Sequence, residues 1–197
     1  MFQYGGVLQG EYRLMDGALQ IRGETGFASG DKTPGMGNRP GRRGSGSNGE
    51  TQRGDIDGPQ YSCQTTGACQ DNQIRNFRFN RDYRVDMILW REIMGGVTDA
   101  LYIKPGVTYT IGDGIHLFGD VIYSRAVFQE STPSSSDPNL GIEANIGARY
   151  ETEDGFFAQL RWGILFPMAG LDVVDRRDGT PELETAQSLR ALIGIKF

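Results

Sequence analysis

His116, Asp120 and Ser124 lie four residues apart, and a base, an orienting carboxylate and a hydroxyl are the ingredients of nucleophilic catalysis. The surrounding residues alternate in polarity as an extended chain would, and residues four apart on a strand stand about 13 Å from one another. That is far beyond hydrogen-bond reach, so no catalytic residues are assigned and the chain reads as a non-enzyme. Asp55, Asp57 and Asp71 could ligate calcium, but they lack the regular acidic spacing and closing glutamate of a calcium loop, and solvated loop charge is the expectation. Cys63 and Cys69 sit close together in a glycine-rich stretch without the histidines or further cysteines of a zinc site. A local disulfide between them is expected, and it favours an oxidising compartment. No metal and no cofactor follow from these patterns.

The chemistry that remains is charge placed at alternate positions. Glu11, Arg13, Arg22, Glu24, Lys104, Asp120, Glu143, Arg149, Arg161, Arg190 and Lys196 all fall on the polar side of segments with period two. From residue 2 to 14, Phe2, Tyr4, Leu8, Tyr12 and Leu14 alternate with Gln3, Gln9, Glu11 and Arg13. Met15, Asp16 and Gly17 then supply a tight turn, Asp-Gly being a strong hairpin signal, and Leu19, Ile21, Thr25 and Phe27 alternate with Gln20, Arg22 and Glu24. The pattern returns at Leu101, Ile103, Val107, Tyr109 and Ile111, where Pro105 marks a bulge or an irregular edge. It continues in Ile115, Leu117, Val121 and Tyr123, less cleanly, since Phe118 and Ile122 fall on the polar row. The clearest pair is Leu140, Ile142, Ala144, Ile146, Ala148 and Tyr150 followed, across a turn at Glu153, Asp154 and Gly155, by Phe156, Ala158, Leu160, Trp162, Ile164 and Phe166. The last segment places Leu189, Ala191, Ile193, Ile195 and Phe197 opposite Arg190 and Lys196.

Bulk composition limits what such strands can build. Of 197 residues 38% are hydrophobic and 29 are glycine, too little for a conventional core of this size. No run approaches the roughly 18 to 20 apolar residues of a membrane-spanning helix, whereas a barrel strand meets lipid with every second residue only. The net charge of −5, with acids and bases interspersed, shows no footprint for nucleic acid. The N-terminus carries no export-signal pattern, which suggests a mature or truncated chain.

Strands of about ten or more residues, joined alternately by short turns and long polar loops and carrying aromatics near their ends, match the asymmetry of membrane barrels better than the shorter strands of sandwiches. The segment from residue 188 to 197, alternating and ending in Phe197, resembles the C-terminal insertion signal of bacterial outer-membrane β-barrel proteins. The resemblance covers the strand regions and is porin-like in general character. It implies an all-β, antiparallel up-and-down transmembrane barrel in the bacterial outer membrane, with lipid and the barrel-assembly machinery as partners. It carries no defined substrate. Seven strands are too few for a closed, even-numbered barrel, and open edges cannot face hydrocarbon, so a C-terminal portion of a larger barrel is expected.

Counting back from a periplasmic C-terminus puts the three short turns on the periplasmic side and residues 129–139 and 167–185 outside. Residues 1–197 then form one barrel domain with residues 30–97 as a long extracellular insertion. Residues 30–59 offer almost nothing to bury and are expected to be mobile. Further on, two readings stay open. Asp82 caps a short helix carrying Val85, Ile88, Leu89 and Ile93 and stopped by Gly95 and Gly96, or residues 76–89 form another strand. The functional expectation is a channel for small hydrophilic solutes, its charged row lining the lumen or bracing it by ion pairs. The alternatives are a structural or adhesive barrel with a closed lumen that binds partners through its long loop, and a soluble β-protein with an internal ligand. The solute and the oligomeric state stay open.

Overall fold

The computed structural model describes residues 2–32, 36, 75–112, 114–134, 136–172 and 183–196. Cys63, Cys69, Asp55, Asp57, Asp71 and Phe197 lie outside the described residues, and so do the expectations placed on them. Seven antiparallel strands form one sheet in sequence order: β1 (Gly5–Leu14), β2 (Leu19–Ala28), β3 (Ala100–Ile111), β4 (Ile115–Ala126), β5 (Asn139–Glu151), β6 (Phe156–Pro167) and β7 (Ala186–Ile195). Each strand pairs with its sequence neighbours, and β1 and β7 are the two edges of the described sheet. The fold is therefore all-β and up-and-down.

Turn chemistry at one end explains the short connections. Met15, Asp16 and Gly17 all take positive φ between β1 and β2, and Gly155 does so at 84° between β5 and β6. At the other end lie all the long connections, residues 29–99, 127–138 and 168–185.

The period-two rows become two faces because the register carries each row across the ladder without inversion. On one face Tyr12, Ile21, Val107, Gly119, Ile146, Trp162 and Leu189 are successive cross-strand partners. Most large side chains of this apolar face are exposed, Ile146 at 58% and Leu8 at 73% among them. Among its described residues only Arg125, at the loop end of β4, is charged. Leu140 departs from the expected outward row. It is fully buried, because the chain bends at the register shift by Ser124/Arg125 and the 169–171 turn packs against β5.

Pro105 makes no bulge. The register is the same on either side of it, Ile103 opposite Tyr123 and Gly106 opposite Asp120, and only the local pairing lapses, as a residue without an N–H requires. Phe118 and Ile122, misfits in a polar row by sequence, have separate reasons. The Phe118 ring lies over Gly147, where a Cβ would come within 2.5 Å of it, and Phe157 covers Gly194 in the same way. Ile122 is 1% exposed beneath a segment from the long connection.

That segment, residues 75–99, keeps the helix reading in shortened form and not the strand. No strand forms over residues 76–89, where only an isolated bridge joins Arg78 to Thr98. The helix is a single π-type turn, Leu89–Ile93, and Gly95 and Gly96, with φ of 74° and 154°, end it. Its N-cap position is Ile88, and the carboxylate that binds its N–H groups from nearby in the chain is Asp86 rather than Asp82, whose backbone N–H instead donates to Asn80 in a local turn. The segment supplies the core that the sheet lacks: Val85, Met87, Ile88, Leu89 and Trp90 are buried with Tyr102, Ile122 and Leu165.

Candidate functional site

The segment lies on the polar face and reaches from β1 to β7. Gln9 on β1 donates to Tyr83 at 2.9 Å, Lys104 on β3 to the Val85 carbonyl at 2.6 Å, and Arg190 on β7 to the Met87 carbonyl at 2.8 Å and to Glu92 at 2.5 Å. Trp90, 2% exposed, donates its indole N–H to Ser124 on β4 at 2.9 Å. Gly163 on β6 makes room for Met87, whose sulfur would lie 3.3 Å from a Cβ there.

Two carboxylates hold the turn itself. The first N–H groups of any helical turn have no partner within it, and here five consecutive ones are bound by acids. Glu143, 1% exposed on β5, accepts from the backbone N–H of Met87, Ile88 and Leu89 at 2.7, 3.1 and 3.0 Å. Asp86 accepts from Trp90 and Arg91 at 2.9 and 3.1 Å. A buried carboxylate survives only where such donors replace water, so each acid explains why the other side of the contact has its shape.

All eleven residues assigned to the charged row stand on this one face. Glu11 and Arg13 pair with each other at 2.5 Å on β1, and Arg22 and Glu24 follow on β2. Lys104 on β3, Glu143 on β5 and Arg190 on β7 bind the docked segment. Near the short turns Glu151 joins Arg149 and Lys196, each at 2.7 Å. Asp120 accepts from Asn145 at 2.9 Å and stands 3.7 Å from Arg161. The row thus does two things: Lys104, Glu143 and Arg190 grip the segment, and Arg22, Glu24, Asp120, Arg149 and Arg161, with Lys104 again, border an open trough of about 390 Å³.

His116, Asp120 and Ser124 share the face but each bonds a different partner and none bonds another of the three. His116 bonds Thr110, Asp120 bonds Asn145, and Ser124 bonds Trp90. No cluster of metal-ligating side chains occurs among the described residues. Sequence reasoning missed Asp86, Trp90, Tyr102 and Asn145 as parts of the site. The signal that pointed there was the apolar content of the polar row, Tyr102, Ile122 and Leu165, which only a covering element could bury.

No family model, curated protein or solved structure matches this chain.

Burial, with the Glu143 carboxylate beside it, pushes Asp86 up to about 7, against the pull of the Trp90 and Arg91 N–H groups and of Lys104. Burial likewise pushes Asp99, at the base of the segment, up to about 8, with Asp31 and Glu130 adding to the shift and the Ser131 hydroxyl opposing it. A carboxyl that holds its proton more tightly when docked than when free stabilises docking in acid and loses that contribution as pH rises through the docked value. The contributions of Asp86 and Asp99 to docking are therefore greatest in acid and are lost as pH rises through about 7 and then about 8. Trp90 fluorescence in a Trp162→Phe background checks this: its emission should shift to the red over that range. Asp86→Asn, which carries no charge at any pH, should flatten the lower step.

Proposed function

We propose that this chain is part of an outer-membrane β-barrel whose apolar face meets lipid and whose polar face lines an aqueous path for small hydrophilic solutes, with residues 75–99 as a plug inside it. The observation that carries the reading is the pair of unlike faces. A row such as Ile103, Tyr123, Ile142 and Phe166, exposed at its two ends and half-buried between, runs across the sheet with no charge in it, while all the charged strand residues but Arg125 gather on the opposite face. Soluble proteins rarely expose so continuous an apolar surface, and lipid is the solvent in which it costs nothing. In this reading the short turns are periplasmic, the long connections external, and insertion depends on the barrel-assembly machinery.

The full-length protein should partition with membranes, migrate differently on a gel before and after heating, and give steps of conductance in a planar bilayer. A protein that stays in solution without detergent would refute the membrane reading, and silent insertion would refute the channel.

One observation favours a second reading, a structural or adhesive barrel with a closed lumen. The plug is tied to β1, β3, β4, β5 and β7, more anchoring than a mobile constriction needs. Shortening residues 37–74 while keeping the plug separates the two: a channel keeps or raises its conductance, whereas an adhesin loses its surface partner.

A further inference from the structure

Among the described residues Arg161 stands on the polar face without a hydrogen-bonded carboxylate, its nearest acid oxygen being Asp120 Oδ2 at 3.7 Å. In the β6–β7 ladder it stands directly opposite Arg190, and like charges so placed repel. Across β5 its diagonal neighbour is Arg149, since Gly147 is its direct partner and Gln159 that of Arg149. Arg190 and Arg149 each have an acid within 2.7 Å, Glu92 and Glu151 respectively. Among the described residues the carboxylate within 4 Å of Arg161 is Asp120, whose Oδ2 stands at 3.7 Å, beyond hydrogen-bond distance, while its Oδ1 accepts from Asn145. The Arg161 Nε is buried and has no hydrogen-bond partner.

Both guanidinium groups are nonetheless held in place. Arg161 lies over the Phe118 ring, 5.3 Å from its centre, and Arg149 over the Phe157 ring at 4.8 Å. Each ring is in turn fixed by the glycine it covers, Gly147 and Gly194. A planar fork stacked on a rigid ring loses little freedom when it binds, and the Arg161 fork matches the two oxygens of a carboxylate or phosphate, while Arg149, whose Nε and Nη2 already donate to Glu151, adds positive charge beside it. Both arginines open with Gln159 and His116 into the trough of about 390 Å³, a volume that suits a small solute. Four cationic side chains border that trough against two carboxylates. Of those two, Glu24 is already bonded by Tyr102 and Gln9.

We propose that Arg161 and Arg149, with Gln159, form a binding site for a small oxyanion, a phosphate or carboxylate solute, in the trough beneath the plug. The site deepens the channel reading by naming the class of solute, and it rests on that reading for its access, yet binding can be measured without transport.

The test titrates the folded full chain in detergent with inorganic phosphate and, separately, with malonate, read by calorimetry. Saturable binding of either is expected, and the stronger of the two arms identifies the solute chemistry. Arg161→Gln should weaken binding roughly tenfold or more, because charge-assisted bonds are lost, and Arg161→Lys less, because charge survives without the fork. Arg13→Gln, on the same face but at the β1 edge, should change nothing. Heat-modifiable migration reports folding of each variant; should Arg161→Gln not fold, Arg149→Gln reads the same site. Absent binding, or binding that none of the trough variants alters, overturns the proposal. A protein that conducts without binding leaves the channel standing and removes the site; one that binds without conducting does the reverse.

Discussion

Truncation of Glu143 to alanine is expected to release the plug. The variant leaves the N–H groups of Met87, Ile88 and Leu89 without an acceptor in a place that water does not reach. Each buried donor left unpaired costs about 1–3 kcal/mol, so the loss is on the order of 2–6 kcal/mol even if one of the three groups finds a new partner. Against this stands the burial of Val85, Met87, Ile88, Leu89 and Trp90. That gain is of the same order as the conformational entropy of ordering the segment, and opposite in sign. The carboxylate bonds therefore decide whether the segment docks. Glu143→Ala should shift Trp90 emission to the red, open the chain to trypsin at Arg84 and Arg91, and raise conductance if the plug narrows the path. Glu143→Gln, which retains one carbonyl acceptor, should lie between. A Glu143→Ala protein with wild-type fluorescence and protease resistance would show that apolar packing alone holds the segment.

Ile146→Arg should abolish or sharply reduce insertion. Ile146 stands in the middle of β5, between Gly119 and Trp162, and is 58% exposed on the uncharged face. A cation facing the centre of a bilayer from a barrel wall costs about 2–4 kcal/mol, enough to shift a folding equilibrium by tens to hundreds of times. Thr108→Arg, on the polar face beside Arg22, is the matched control and should fold and insert. The yield of the heat-modifiable, membrane-embedded form measures both. If that face met water, Ile146→Arg would be neutral or would improve solubility, and the membrane proposal would fail.

Much of the sheet was legible because its determinants are local. Period two along Leu140 to Glu151 separates the faces, and Asp-Gly or Gly at the short turns sets the register that carries a row into the next strand. Neither depends on distant residues. Where the reading erred, the deciding contact was remote or the local rule had slack. Asp82 and Asp86 are equally good acceptors by type, and only the docked position of the turn selects Asp86. Pro105 was free to keep the register because the lapse of one pair is tolerated. Leu140 continues the apolar row by period, but the shift beside it turns it under the loops.

The sequence by itself determined an antiparallel, two-faced sheet with short turns at one end and long connections at the other, because strand periodicity and turn conformation are properties of neighbouring residues. Only the tertiary structure decided what the charges do. Glu143 reads by spacing as one more residue of a polar row, yet its partners stand 54 to 56 positions away, on a segment whose own pattern fitted helix and strand alike. Arg161 is left under-compensated by Arg190 and Arg149, which the ladder brings beside it from other strands. Which charge meets which is settled by chain closure over long separations, and no local pattern encodes that.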